Sequence, residues 1–282
     1  MRTYLVPIDF SETSVRAAEF AAALSNQTDV SRIILMNAYY VSPYETMLPN
    51  PDMVLLREEE IEENAAERIT KLKELRSRLH KQVREGVEIS VHLNRSHLLR
   101  AVVENVIAEK ADVVFMGSRG NSSSDNTQIG SHVIKVSKAS PVPVVVVPAC
   151  FKFHDIKRVV VACDFNKVKE TVPLEALKKL LDRKKYELLI VNVDAEARHR
   201  NKDAEQVAQE TALHGMLAQY HPHYHFINDT NVIDGILHFA VEHDAQMVIA
   251  LPHKYSFFQS ILHDSVSQRL AQASRVPVLL LK

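Results

Sequence analysis

The sequence predicts two tandem α/β domains, each an open parallel sheet with helices on both faces. Short apolar runs of strand length alternate with longer segments whose apolar residues recur at helical spacing, which is the rhythm of βαβ units with right-handed crossovers. The apolar runs are nearly continuous, as expected for strands that are covered on both faces. The same order of segments begins again after Pro148, and a chain of 282 residues is long enough for two domains.

The first half begins with a strand that leads to Ser11, a good N-cap for the helix after it. Three prolines make the segment 39–52 a loop, and the charges of the long helix that follows are typical of a solvated face. The predicted elements are strand Thr3–Ile8, helix Glu12–Ser25, strand Arg32–Ala38, helix Met53–Glu85, strand Val87–Leu93, helix Leu98–Glu109, strand Val113–Met116, a helix from Ser131 to Ser140, and strand Val142–Val147.

The second half repeats this order. Residues 111–116 align with 245–250, and residues 139–144 align with 273–278, which indicates an internal duplication with domains at 1–150 and 151–282. The predicted elements are strand Ile156–Cys163, helix Val168–Leu181, strand Tyr186–Val193, helix His199–Gln219, strand Tyr224–Ile227, helix Val232–Glu242, strand Met247–Leu251, helix Ser265–Ala273 and strand Val276–Leu281.

Composition excludes several classes of protein. The net charge is −1, so no global charge points to nucleic acid or an anionic membrane. No apolar run approaches the roughly 18 residues that a membrane span needs. Two cysteines do not make a disulfide framework, and a strand directly after Met1 leaves no room for a signal peptide. We therefore expect a cytoplasmic protein.

The segment from Met116 to Ser131 holds three of the chain's 6 glycines, in the spacing Gly-x2-Gly-x9-Gly-Ser between a strand and a helix. A glycine loop at a helix start directs N–H groups and the positive end of the helix dipole at an anion, usually phosphate. The spacing matches neither the P-loop nor the dinucleotide fingerprint. The alternative is a tight turn with a helix cap and no ligand.

This spacing resembles the nucleotide-binding motif of the ATP-binding universal stress proteins (Usp family), and both halves resemble Usp domains, as in the tandem members. The resemblance implies a Rossmann-like, adenine nucleotide alpha hydrolase-like fold with five parallel strands per domain. It also implies ATP at the carboxyl ends of the strands. By position, it assigns the nucleotide to Pro7, Asp9, Ala38, Met116, Gly117, Arg119, Gly120, Gly130, Ser131 and His132.

The resemblance implies a role for each group. The backbone of Ala38 contacts adenine, residues 116–120 surround ribose and phosphate, and Gly130 and Ser131 hold the phosphates by main-chain N–H groups and a hydroxyl. Asp9 is suited to Mg²⁺ and Arg119 adds positive charge. The alternatives are a cap or loop role for Asp9 and a solvated side chain for Arg119. His132 stands where the family has an apolar residue.

The second half departs from this motif. Asp164 and Ser265 are kept, but Leu251, Lys254 and Asp264 replace the glycines. Because Asp264 places negative charge where the phosphate belongs, we expect this domain not to bind ATP in the family manner.

The segment His221-Pro222-His223-Tyr224-His225 is unusual. In a strand, its three histidines share one face and could bind Zn²⁺ with His253 or His263, although the spacing fits no standard zinc motif. The alternative is an ordinary surface strand.

The last strand of each half is very apolar, and exposed apolar edges invite pairing. We expect these two edges to pair within the chain as an intrachain pseudo-dimer, and a further homodimer stays open. The alternative is that each edge is covered by a helix or loop.

Three functions compete. The first is an ATP-binding stress protein with a regulatory or stress-resistance role. The second is a slow ATPase or self-phosphorylating enzyme that uses the same site, although the loop lacks a P-loop lysine and a clear general base. The third is a scaffold that binds a partner, a small ligand or zinc through the second domain.

Overall fold

The structure is a computed structural model, and it describes residues 2–42, 51–119, 130–163, 168, 186–194, 204–250 and 274–281. Its centre is one ten-stranded sheet with five strands from each half of the chain. The elements of the first half are β1 Arg2–Pro7, α1 Glu12–Leu24, β2 Val30–Ala38, α2 Pro51–Leu79, β3 Glu88–Asn94, α3 Leu98–Ala108, β4 Val113–Gly117, α4 Ser131–Ala139 and β5 Val144–Val147.

The second half supplies the other five strands and two helices among the described residues. Its elements are β6 Arg158–Ala162, β7 Glu187–Asp194, α5 Ala204–Leu217, a 3-10 turn Ala218–Tyr220, β8 His223–Asn228, α6 Val232–Glu242, β9 Met247–Ala250 and β10 Val278–Leu280. The helices expected at Val168–Leu181 and Ser265–Ala273 lie outside the described residues apart from Val168.

The strand order is β3-β2-β1-β4-β5-β10-β9-β6-β7-β8. Within each half all neighbours are parallel, which confirms the predicted fold class. The two halves meet where β5 and β10 pair antiparallel, with Val146 opposite Val278 and Val144 opposite Leu280. The expected pairing of the two apolar edges is therefore confirmed, and it leaves β3 and β8 as the outer strands.

One apolar core runs across both halves on the face that α1, α2 and α5 cover. It joins Tyr4 and Phe115 of the first half to Leu188 and Ile190 of the second, and Phe151 of the connecting segment packs into it. The opposite face has two separate cores, one beneath α3 and α4 and one beneath α6. The two domains thus share a core on one side of the sheet only.

The duplication extends to hydrogen bonds at matching positions. The Asn37 side chain donates to the Ile8 carbonyl at 2.6 Å, and the Asn192 side chain donates to the Cys163 carbonyl at 2.8 Å. Each asparagine fixes the carboxyl end of the first strand of its half to the second strand. The repeat predicted from the sequence is thus visible in the polar contacts as well as in the order of elements.

The long helix α2 ends at Leu79, six residues before the predicted end at Glu85. The chain leaves the helix there because Arg84 turns back to the segment between α1 and β2, where its side chain donates to the carbonyls of Ser25 and Val30 at 3.2 and 2.7 Å. Gly86 then takes a positive φ of 83°, which glycine adopts without strain.

Candidate nucleotide site in the first half

A cavity of about 290 Å³ lies where β1, β2 and β4 end and α4 begins. Pro7, Ala38 and Gly117 are the last residues of these three strands, and all of them line the cavity. Open α/β sheets bind ligands at this place, outside the carboxyl ends of the strands. The volume is near the lower end of the range typical of small-molecule pockets.

Eight of the ten residues assigned from the sequence line this cavity. They are Pro7, Asp9, Ala38, Met116, Gly117, Arg119, Gly130 and His132. Ser131 lies in the first turn of α4 beside them but does not line the cavity, and Gly120 lies outside the described residues. The fold therefore brings Pro7 and Gly117, which are 110 residues apart in the sequence, to the same cavity.

Four lining residues were missed by the sequence analysis. They are Ile8, Ser14, Leu98 and Val133. Leu98 is the one with a usable signal, because the start of the helix after β3 falls at the same edge of a parallel sheet as the ends of β1 and β2. Ile8 and Val133 adjoin assigned residues along the chain, and Ser14 lies on α1 where its backbone nitrogen comes close to Gly117.

Asp9 shapes the turn between β1 and α1. Its Oδ1 atom accepts hydrogen bonds from the Ser11 N–H at 3.0 Å and from the Ser11 hydroxyl at 2.5 Å. The Ser11 hydroxyl in turn accepts from the Ser14 N–H at 3.2 Å and caps α1, as the sequence predicted. The loop role that was the alternative for Asp9 is thus present in the structure, while its exposed carboxylate also lines the cavity.

Gly117 allows β4 to approach the start of α1. A Cβ atom at this position would lie 2.5 Å from the carbonyl carbon and oxygen of Thr13 and 2.9 Å from the Ser14 nitrogen. These are backbone atoms, so no side-chain rotation relieves the overlap. Gly117 is therefore needed for the packing of β4 against α1, whether or not a ligand binds there.

The ends of the glycine loop are tied together. The Ser118 N–H donates to the Val147 carbonyl at 2.9 Å, and the Gly130 N–H donates to the Ser118 carbonyl at 2.9 Å. The Thr13 hydroxyl also donates to the Arg119 carbonyl. The Gly130 N–H, which the resemblance assigns to phosphate, is thus used inside the protein.

Helix α4 starts without a side-chain cap at Gly130, whereas α1 is capped by Ser11. The first N–H groups of a helix have no intrahelical partner, and the helix dipole makes this end positive. For α4 these groups belong to Ser131 and His132, whose side chains are exposed. This arrangement suits an anion that bonds the N–H groups just after Gly130.

The corresponding corner of the second half is described only in part. Cys163 and Asn192 occupy the places of Ile8 and Asn37. The residues of the degenerate motif, Asp164, Leu251, Lys254, Asp264 and Ser265, lie outside the described residues. The expectation that this domain does not bind ATP stays a prediction.

The three histidines before and within β8 do not share one strand face. The shared face was expected only for histidines inside a strand; His221 precedes the strand in the left-handed region at φ 48°, while His223 and His225 lie in β8. The ring of His225 lies 5.2 Å, centroid to centroid, from that of His243, the C-cap of α6. Within the described residues, no group of three or more metal-binding side chains is found, and His253 and His263 lie outside them.

None of the helices in the described part of the chain combines the length and apolar character that crossing a membrane requires. The comparison with curated proteins gives no match for this chain.

The fold agrees with comparisons to known proteins. A universal stress protein from Archaeoglobus fulgidus DSM 4304 aligns with a TM-score of 0.62 and 21% identity, covering 99% of this chain and 96% of its own. A functionally unknown protein from Pseudomonas aeruginosa PAO1 gives 0.62 and 14%, with coverages of 100% and 92%. A putative universal stress protein from Pseudomonas aeruginosa UCBPP-PA14 gives 0.61 and 13%, with coverages of 100% and 93%.

These identities are low, so the three structures show a shared fold across both halves and nothing finer. The sequence itself matches the model of the universal stress protein family twice, over residues 1–148 and 155–282. Together the two matches span nearly the whole chain. The chain therefore belongs to the universal stress protein family and carries two of its domains in tandem.

Proposed function

We propose that this protein binds ATP in the cavity of its first domain and acts as a nucleotide-dependent regulatory protein in stress resistance. The observation that carries this proposal is the convergence of eight residues assigned from the sequence on one cavity at the carboxyl ends of the strands. The strand order β2-β1-β4 brings Pro7, Ala38 and Met116 together, and the glycine loop adds Gly117, Arg119 and Gly130 to the same cavity.

The two ends of the cavity suit the two ends of the nucleotide. Ala38, Leu98 and Met116 provide apolar surface for the base and ribose. The N–H groups of Ser131 and His132 at the uncapped start of α4, together with Arg119, provide hydrogen-bond donors and positive charge for the phosphates. The fit is of the kind usual for small-ligand sites, with mostly apolar walls and a few polar groups that fix orientation.

Asp9 fits a role in holding Mg²⁺. The ion usually takes one or two protein carboxylates together with phosphate oxygens and water. Among the described lining residues, Asp9 carries the only carboxylate, and it is exposed at the cavity. When bound, Mg²⁺ would neutralise phosphate charge, while Asp9 keeps its turn-forming bonds to Ser11.

Binding is a better proposal than catalysis for this site. A hydrolase needs a group that orients or deprotonates the attacking water. Asp9, the one carboxylate among the described lining residues, already accepts two hydrogen bonds from Ser11 through Oδ1. We therefore propose that the nucleotide serves mainly as a bound signal.

The test is calorimetric titration of Mg-ATP into Gly130→Asp and Gly130→Asn. Gly130 has φ −60° and ψ 132°, a conformation open to either residue, and both are good N-caps. The two variants differ by one charge at the place where the phosphates bind. We expect Gly130→Asp to bind at least about tenfold more weakly than Gly130→Asn. Equal affinities, or no binding of Mg-ATP by the unmodified protein, would overturn the proposal.

A further inference from the structure

Beside the proposed base end of the cavity lies an aromatic pair. The rings of Tyr40 and His97 are stacked with centroids 3.8 Å apart and an interplanar angle of 15°. Tyr40 follows the last residue of β2 by two positions, and His97 is the N-cap of α3. The pair therefore joins the β2–α2 loop to the start of α3.

Both residues are immediate neighbours of cavity residues. Ala38 lines the cavity two residues before Tyr40, and Leu98 lines it one residue after His97. Ala38 and Leu98 also pack against the same apolar core beneath α3 and α4. The two rings are not among the residues that line the cavity, but each lies within two positions of one that does, which places the pair next to the rim.

The rim is held in place by the neighbouring backbone. The Tyr39 N–H donates to the Asn94 carbonyl at 3.0 Å and ties the end of β2 to the end of β3. The Tyr39 side chain points to the other face of the sheet, where its hydroxyl donates to the Ile61 carbonyl at 3.4 Å. The residue before Tyr40 is therefore tied to β3, while the Tyr40 side chain itself is 49% exposed.

We propose that the stacked rings of Tyr40 and His97 form the wall on which the base of the bound nucleotide stacks. This inference rests on the proposed binding of ATP and assigns the group that selects a planar aromatic base. Two nearly parallel rings present a flat aromatic face, which favours stacking with another flat ring. The phosphates bind at α4, so the pair contributes affinity for the base and none for the phosphates.

The first test compares affinities for three probes. Calorimetric titrations use Mg-ATP, adenosine and inorganic tripolyphosphate with the full chain. Tyr40→Ala is expected to weaken ATP and adenosine by roughly tenfold each and to leave tripolyphosphate unchanged. Tyr40→Phe keeps the ring and is expected to bind like the unmodified protein. Phe226→Ala removes an exposed ring far along the chain, on β8, and serves as the matched control.

A second test reads the stacking directly. The chain contains no tryptophan, so the emission of a Tyr40→Trp variant comes from this one position. Stacking of adenine on the indole is expected to quench that emission on addition of ATP or adenosine, and tripolyphosphate is expected to leave it unchanged. A Phe226→Trp variant is expected to show no quenching with any of the three probes.

The outcomes separate the two proposals. One outcome would overturn the stacking wall and leave the ATP site intact. In it, calorimetry shows ATP binding, ATP leaves the emission of Tyr40→Trp unchanged, and Tyr40→Ala binds adenosine with full affinity. Absence of any nucleotide binding by the unmodified protein would overturn the proposed function and the stacking wall together. Equal weakening of tripolyphosphate and adenosine in Tyr40→Ala would show a general collapse of the site and would also contradict the wall.

Discussion

Gly117 shows how one residue can serve packing at a place where we also propose that a ligand binds. The sequence suggested a backbone-built phosphate site because half of a scarce residue type lies in one loop. The structure gives Gly117 a further reason, since a side chain there would overlap the backbone of Thr13 at the start of α1. Composition alone does not separate these two reasons, because the approach of α1 is a tertiary contact.

We expect Gly117→Ala to destabilise the whole fold by about 1–3 kcal/mol, the usual cost of overpacking. The Cβ atom would lie 2.5 Å from backbone atoms that have little room to move. The measurement is the urea midpoint of unfolding. The matched control is Gly215→Ala on α5, where a Cβ meets nothing within 4 Å.

At Gly215, alanine should raise stability by about 0.5–1 kcal/mol, because glycine is unfavourable inside a helix. Opposite signs for the two variants are the expected result. A Gly117→Ala protein as stable as the unmodified chain would contradict the packing role and leave only a ligand role for this glycine.

At the scale of elements, β8 and α6 form a histidine-rich contact in the second domain. The His225 ring packs against Phe239 at 4.8 Å and His243 at 5.2 Å, and its Nε2 atom is buried with no hydrogen-bond partner among the described residues. Burial lowers the pKa of His225, and the nearby His243 and His223 lower it further, while Glu187 acts in the opposite direction. Glu187 is itself paired with Arg158 at 2.8 Å.

A lowered pKa in the folded state means that the neutral ring is the form the fold favours. The contribution of His225 to stability is therefore fully present above its ordinary pKa of 6.5 and is lost as the pH falls below that value. We expect the urea midpoint to drop between about pH 7.5 and about pH 5.5, and to drop less in His225→Leu.

The control for this pH dependence is His238→Leu, an exposed position on α6. It should retain the full pH dependence of the unmodified protein. An identical loss of stability in His225→Leu and in the unmodified chain would show that other groups carry the acid sensitivity.

The elements themselves were largely predictable. The apolar strands and the Ser11 cap follow from local sequence, and α6 has the bounds the sequence gives it. The early end of α2 was not predictable, because it depends on Arg84 reaching back to the carbonyls of Ser25 and Val30. The left-handed turn at His221 was not predictable either, since it leaves no trace in a period-two pattern.

At the scale of the molecule, the duplicated halves form one sheet and share one core. Gln27 joins them directly, because its side chain exchanges hydrogen bonds with the backbone of Ile156 at 2.9 and 3.3 Å. The backbone carbonyl of Gln27 also accepts a hydrogen bond from the Tyr186 hydroxyl at 3.3 Å. Gln27 is 1% exposed, so these groups have no access to solvent when their partners are lost.

We expect thermal unfolding of the full chain in a single calorimetric transition, because the halves share a sheet and a core. Gln27→Ala should lower stability by about 1–3 kcal/mol by leaving the Ile156 backbone groups unpaired. Gln82→Ala, at an exposed side chain, is the control and should have little effect. Two separate transitions in the unmodified chain would contradict the coupling of the halves.

The pairing of β5 with β10 was predictable from two apolar edges that need cover. The placement of eight assigned residues around one cavity was predictable from the motif and its position at the strand ends, and their binding of a nucleotide stays a proposal. The stacked Tyr40–His97 pair was not, because its residues are 57 positions apart and neither belongs to the motif.

The central claim is that one adenine nucleotide binds per chain, in the first domain. Native mass spectrometry of the full chain with excess Mg-ATP counts the bound nucleotides directly. We predict one nucleotide per chain, reduced in Gly130→Asp relative to Gly130→Asn. No bound nucleotide would contradict the site, and two per chain would contradict the assignment of binding to the first domain alone.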